Sequence, residues 1–165
     1  AANIRAELAK APNARLLLSA HGLPEKIIRG GDPYQRQCEE TAEAIVKELN
    51  ISNLDWQACY QSRVGPLKWI GPSIGEALER AARDGKGVVV YPHAFVSEHV
   101  ETLVELDMEY RHMAEALKIP FYHRASAVGT QPAFIAGLAQ LVQDRLKGAA
   151  GGCAAEQKIC TSRGD

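Results

Sequence analysis

A chain of 165 residues, 46% apolar and 24% charged, is long enough for one packed domain and too apolar to be a disordered chain. Its net charge of −1 gives no reason to expect a nucleic-acid partner, and no apolar run approaches the length that spans a bilayer. Four cysteines, Cys38, Cys59, Cys153 and Cys160, are too few and too scattered to staple a secreted domain, so a reducing cytoplasmic setting is expected.

The first ten residues read as a polar amphipathic helix rather than a signal peptide, and the opening Ala1 suits a cut or processed chain. Ala14 to Ala20 (ARLLLSA) is then an apolar run bounded by Pro12 and by His21-Gly22, as a buried strand would be. Gly30-Gly31-Asp32-Pro33 is a turn leading into a helix over Tyr34 to Leu49. Asp55 to Gln61 (DWQACYQ) is a second strand, followed by the stiff loop Val64 to Pro72 and a helix over Ser73 to Arg83. In that helix Ile74, Ala77, Leu78, Ala81 and Ala82 form one stripe. Gly87 to Pro92 (GVVVYP) and Phe121 to Ala125 (FYHRA) are the remaining strands, and Glu98 to Leu117 and Gln131 to Lys147 the remaining helices. Strand followed by helix four times over predicts the α/β class: a four-stranded parallel sheet with helices on both faces, a Rossmann-like three-layer domain over residues 1–147. From Gly148 to Asp165 the residues are small, polar and aperiodic, and a flexible tail is expected.

Open parallel sheets bind ligands beyond the carboxyl ends of their strands, and the unusual residues of this chain gather there. His21 follows the first strand, where its imidazole can take a proton or bind a metal near neutral pH, or simply bond a loop backbone. After the third strand comes Ser97 to Tyr110, with Ser97 as a candidate N-cap and Glu101, Glu105 and Glu109 recurring every four residues. On an α-helix this row drifts by about 40° per step, and a wider π-type turn would align it better. A solvated acidic face is the plain alternative. Against it, no Lys or Arg occurs from Ser97 to Tyr110 to relieve the repulsion, which suits a path for a divalent cation or for departing protons. Trp69, braced by two prolines and two glycines, offers either a flat wall for a planar ligand or a lid on the core edge, and Phe95 is equally open. No zinc cysteine pattern, P-loop, G-x-G-x-x-G or G-x-S-x-G occurs.

These stretches resemble the ferrochelatase family. Ser19-Ala20-His21-Gly22-Leu23-Pro24 is similar to its S-A-H-[SG]-L-P segment, and Gly31-Asp32-Pro33-Tyr34 to the G-D-P-Y that follows. Gln61-Ser62-Arg63-Val64-Gly65-Pro66 with Trp69-Ile70-Gly71-Pro72 resembles the Q-S-[KR]-V-G-P…W-L-G-P run of the porphyrin cleft. Phe95 to Leu103, with Glu105-Leu106-Asp107, resembles the acidic F-x-[SA]-[DE]-H-x-E-T-L-x-E-L-D segment. The likeness runs from about Arg15 to Val142 in the family's order.

The resemblance implies the carboxyl-terminal half of a two-domain chelatase that inserts Fe²⁺ into protoporphyrin to form haem. It implies His21 and Glu101 as the catalytic pair, and His21, Glu101, Glu105 and Glu109 along the metal path. It also implies Trp69, Ser62, Phe95 and His99 as substrate-binding residues. The implied partners are the porphyrin, Fe²⁺ as substrate, the preceding amino-terminal half and a peripheral contact with the membrane. Some members hold a [2Fe–2S] cluster on three close tail cysteines and an earlier one. The tail here has only Cys153 and Cys160, so no cluster and no other tightly bound cofactor is expected. Cys38 and Cys59 are expected to be buried thiols. Two other readings remain open from the residues: a chelatase for another metal or tetrapyrrole, and a tetrapyrrole- or metal-binding module without turnover.

Overall fold

The computed structural model describes residues 1–147, which divide into a compact unit Ala1–Gly129 and a second unit from Thr130 onward. The expected tail, with Cys153 and Cys160, lies outside the described residues.

In the first unit β1 (Arg15–His21), β2 (Trp56–Gln61), β3 (Val88–Pro92) and β4 (Tyr122–Arg124) form one parallel sheet in the order β2-β1-β3-β4. The strands are short apolar runs because both faces of the sheet are covered. Alternation along β1 sorts the faces: Leu16 and Leu18 pack toward α1 (Ala2–Leu8) and α3 (Tyr34–Leu49), with Ile4, Ala42 and Leu49. Leu17 packs on the other side with Ile74, Ala77, Leu78 and Ala81 of α4 (Ile74–Arg83) and with Ala114 of α5 (Tyr110–Ala116). The α/β sheet with helices on both faces is the architecture expected from the sequence. The short α2 (Glu25–Arg29) went unread, since five residues are too few to show a period. In the second unit α6 (Pro132–Leu146) starts with a proline in its first turn, where the missing N–H costs no hydrogen bond.

The helix expected over Glu98 to Leu117 is two elements, a π-helix from Glu101 to Glu109 that runs directly into α5. Ser97 is not its cap, a correction to the sequence reading: Ser97 sits in a bend, and the chain turns helical only at Val100. The start is closed instead by His99 and Thr102. The His99 amide donates to Thr102 Oγ1 at 2.9 Å, and the Thr102 hydroxyl donates to the His99 carbonyl at 3.0 Å.

At the amino ends of the strands Arg15 is 9% exposed and donates to both oxygens of Asp55, at 2.9 and 3.0 Å, and pairs with Asp84 at 2.9 Å; Lys86 also reaches Asp55. The Arg15 hydrogen bond holds the Asp55 carboxyl below its ordinary range against the opposing effect of burial. A recess of about 480 Å³ lies at this end, lined by Arg5, Ile51, Asp55 and Lys86 among others, and contains none of the candidate site residues.

Candidate active site

The order 2-1-3-4 reverses direction at β1, and in such sheets the ligand crevice opens beyond the carboxyl ends of the strands at that switch. His21 is the last residue of β1, and its neighbour in register is Gln61, the last of β2. Odd-numbered β1 side chains face α4 and the π-helix, so His21 points toward the acidic row.

His21 Nδ1 lies 2.8 Å from Glu101 Oε2, and the two side chains are 40% and 28% exposed. The pair meets at the surface of the crevice rather than inside the core. With Nδ1 engaged by a carboxylate, the imidazole keeps Nε2 for whatever enters, the arrangement in which an acidic partner fixes the tautomer and the ring's orientation. Behind the ring, the Tyr34 hydroxyl donates to the His21 backbone carbonyl at 3.0 Å, which fixes the end of β1. Burial, and then the neighbouring Cys38, raise the Tyr34 phenol above its ordinary value, so it stays a donor.

Ser62 Oγ stands 3.2 Å from Glu101 Oε2 and 2.8 and 2.9 Å from the two oxygens of Glu105. One hydroxyl proton thus serves whichever carboxylate is the stronger acceptor. Ser62 reaches this position in the left-handed region, φ 60°, which a side chain rarely adopts without compensation. Gln61, fully buried, accepts from Ser19 Oγ at 2.7 Å. Its amide donates to the Glu101 carbonyl at 2.6 Å and to Glu105 Oε2 at 3.1 Å, so the group is satisfied on both sides. His21, Glu101, Ser62 and Glu105 therefore form one continuous polar chain.

The other expected residues are placed differently. Glu109 is exposed at the far end of the π-helix, beyond these contacts. Among the described residues, no three His, Cys, Asp or Glu side chains converge as a metal cage would. His99 lies half-buried behind the row; its Nδ1 accepts from the Glu101 amide at 3.1 Å and its ring meets Phe95 edge-on, centroids 5.1 Å apart. Phe95 is only 8% exposed. Both brace the start of the π-helix.

Trp69 is half-buried and pairs its backbone with Pro24, while the Ile70 amide donates to the Leu23 carbonyl at 3.0 Å, stitching the loop after β2 to the loop after β1. Gly22 lies under this seam. A Cβ there would sit 3.0 Å from Arg63 Cγ and 3.5 Å from the Trp69 ring, so a side chain would press the two loops apart.

Three residues were given no role of their own in the sequence reading. Gln61 was a polar residue closing an otherwise buried strand, which is the signal that could have found it. Tyr34, beginning a helix, carried no such signal. His93, directly after β3, bonds the Cys38 carbonyl through Nε2 at 3.2 Å, and its Nδ1 is buried without a partner. Burial pushes its imidazole down to about 4, so it stays neutral around neutral pH. Cys38 and Cys59 are both buried free thiols, and burial pushes Cys59 up to about 12.

Comparison with known proteins identifies the family. The ferrochelatase family model matches residues 1–146. A ferrochelatase of Caulobacter vibrioides (strain NA1000 / CB15N) is 58% identical over 139 residues, 84% of this chain and 40% of that protein. One from Rickettsia bellii (strain OSU 85-389) is 52% identical over 130 residues, 79% of this chain and 36% of its own length. The chain thus spans about 40% of the length of these relatives. A crystal structure of a cobalamin (vitamin B12) biosynthesis CbiX protein from Marinobacter aquaeolei VT8 shares the fold, with a TM-score of 0.54 at 18% identity over 81% of this chain and 98% of that one. No helix among the described residues is long and apolar enough to cross a membrane. A family match running through β1, the Trp69 loop and the π-helix takes in every element of the crevice, and the chain belongs to the ferrochelatase family.

Proposed function

We propose that this chain carries the catalytic wall of an enzyme that inserts Fe²⁺ into protoporphyrin, acting with an amino-terminal half that supplies the facing wall. The observation that carries the reading is the 2.8 Å contact between His21 Nδ1 and Glu101 Oε2 at the crevice mouth. A porphyrin must lose two pyrrole N–H protons to accept a divalent ion, and a base is useful only within hydrogen-bond reach of them. The Glu101 carboxylate holds the imidazole so that Nε2 accepts; the same lone pair serves either as base or as transient ligand. Glu105, linked through Ser62, is the next carboxylate, and Glu109 lies further along the same helix at the surface. A row without a closed cage suits an ion that is cargo: each oxygen or nitrogen donor attracts Fe²⁺, and none holds it in a saturated shell. Trp69 and Ser62 would border the macrocycle, while Phe95 and His99 act one step back by bracing the helix.

Cys38 on α3 and Cys59 on β2 are buried thiols, and no role in the reaction is proposed for either. A cytoplasmic location with peripheral membrane contact accords with the reading.

The test is made in the intact protein. His21→Ala should lower Fe²⁺ insertion by more than about tenfold, the usual scale for a positioned base, with porphyrin binding by fluorescence titration unchanged. Glu101→Gln should lose turnover similarly. Retention of insertion by His21→Ala refutes the assigned role.

A further inference from the structure

Five carboxylates crowd the stretch from Glu98 to Glu109, and the segment itself supplies no cation from Ser97 to Tyr110. The cation comes from the edge strand. Arg124, the last residue of β4, has a side chain only 11% exposed. Its Nε and Nη2 donate to the two oxygens of Asp107 at 2.6 and 2.7 Å, a side-on fork. Its Nη1 donates to both oxygens of Glu98 at 3.0 Å. Glu98 Oε1 also accepts from the Ala127 amide at 2.8 Å, so the acid is tied to the strand and to the loop beyond it. Burial would raise the Glu98 carboxyl, but the bonds from Thr102, Ala127 and Arg124 outweigh it and hold it below the ordinary range.

Glu98 precedes Glu101 and Asp107 follows Glu105, so a single guanidinium grips the chain on both sides of the two acids that meet Ser62. We infer that Arg124 is a positioning residue: by clamping Glu98 and Asp107 it keeps the intervening turn wound as a π-helix, in the register that brings Glu101 to His21. The same contact sorts the acids. Glu98 and Asp107 are neutralised and structural, whereas Glu101 and Glu105 are left facing the crevice. π-type winding is rare beyond a single-turn bulge, so nine residues of it call for such outside support. Other donors reach the same stretch: the Tyr122 hydroxyl bonds the Leu106 carbonyl at 2.8 Å and Arg111 Nε the Asp107 carbonyl at 3.1 Å. Among the described residues, only Arg124 bonds both Glu98 and Asp107.

The consequence for turnover rests on the chelatase reading; the consequence for the helix does not. In the intact protein, Arg124→Met should accelerate amide hydrogen exchange of residues 101–109 by about tenfold or more, with β1–β3 amides changed less than about twofold. Turnover should fall by about tenfold while the porphyrin KM stays within about threefold, and adding Arg124→Met to Glu101→Gln should lower turnover little further. Arg124→Lys, which keeps the charge and the fold but lacks the fork, should accelerate the same amides to a lesser degree. Wild-type exchange over 101–109 in Arg124→Met, or equal acceleration throughout the sheet, overturns the clamp. If the unmutated protein inserts no metal, the functional reading fails and the exchange data still decide the clamp.

Discussion

α4 and the π-helix lie on the same face of the sheet and are held there by opposite means. α4 is self-sufficient: Ser73 Oγ accepts from the Glu76 amide at 3.1 Å, the Glu76 carboxylate accepts from the Ser73 amide at 2.6 Å, and Ile74, Ala77, Leu78 and Ala81 are fully buried. The π-helix buries only Thr102 and Leu106, and its carbonyls are bonded by Gln61 and Tyr122 from other strands and by Arg111 from the helix that follows it. Where cap, period and burial agree, the element carries stability. Where they conflict and neighbours must hold the winding, the element carries the site.

Three substitutions would break or sharpen this contrast. The largest stability effect is expected for Leu78→Ala, about 2–5 kcal/mol from lost burial and the cavity left behind. Urea denaturation should record that loss while turnover per folded molecule stays near wild type; a tenfold fall in turnover would erase the distinction between the two helices. Tyr122→Phe leaves the buried Leu106 carbonyl without its donor, at about 1–3 kcal/mol. Here a fall in turnover should accompany the loss, because the donor holds the winding on which Glu101 depends. Ser73→Ala removes the cap of α4 at about 1 kcal/mol, and assays at temperatures well below the melting point should show no change in turnover. If Ser73→Ala impaired insertion as much as Tyr122→Phe, the contrast would fail.

The same contrast decides what could be read from the chain. The strands and α4 were legible because a buried run and a four-residue apolar stripe each have one physical solution, and Tyr34–Leu49 matches the expected helix. The row of glutamates was visible and its spacing suggested a π-type turn, but the nine-residue extent of the π-helix was not legible, since it is set by donors distant in sequence: Gln61 from β2, Tyr122 and Arg124 from β4. Ser97 looked like a cap by residue type, yet the turn is closed by His99 and Thr102, whose pairing depends on the path of the loop after β3. His21 meeting Glu101 across 80 positions is likewise a product of strand order, which local pattern does not encode.

The place of β1 in the sheet has one more consequence. It is hydrogen-bonded on both edges, to β2 and to β3, and six of its seven residues are buried. The imidazole therefore stands at the end of a strand anchored on both sides, and the carboxylate on a helix whose carbonyls Gln61 and Tyr122 bond from other strands. Of the two sides, the glutamate's is the one expected to give if the gap widens for a guest, as a vice moves against its anvil, with the histidine's aim kept.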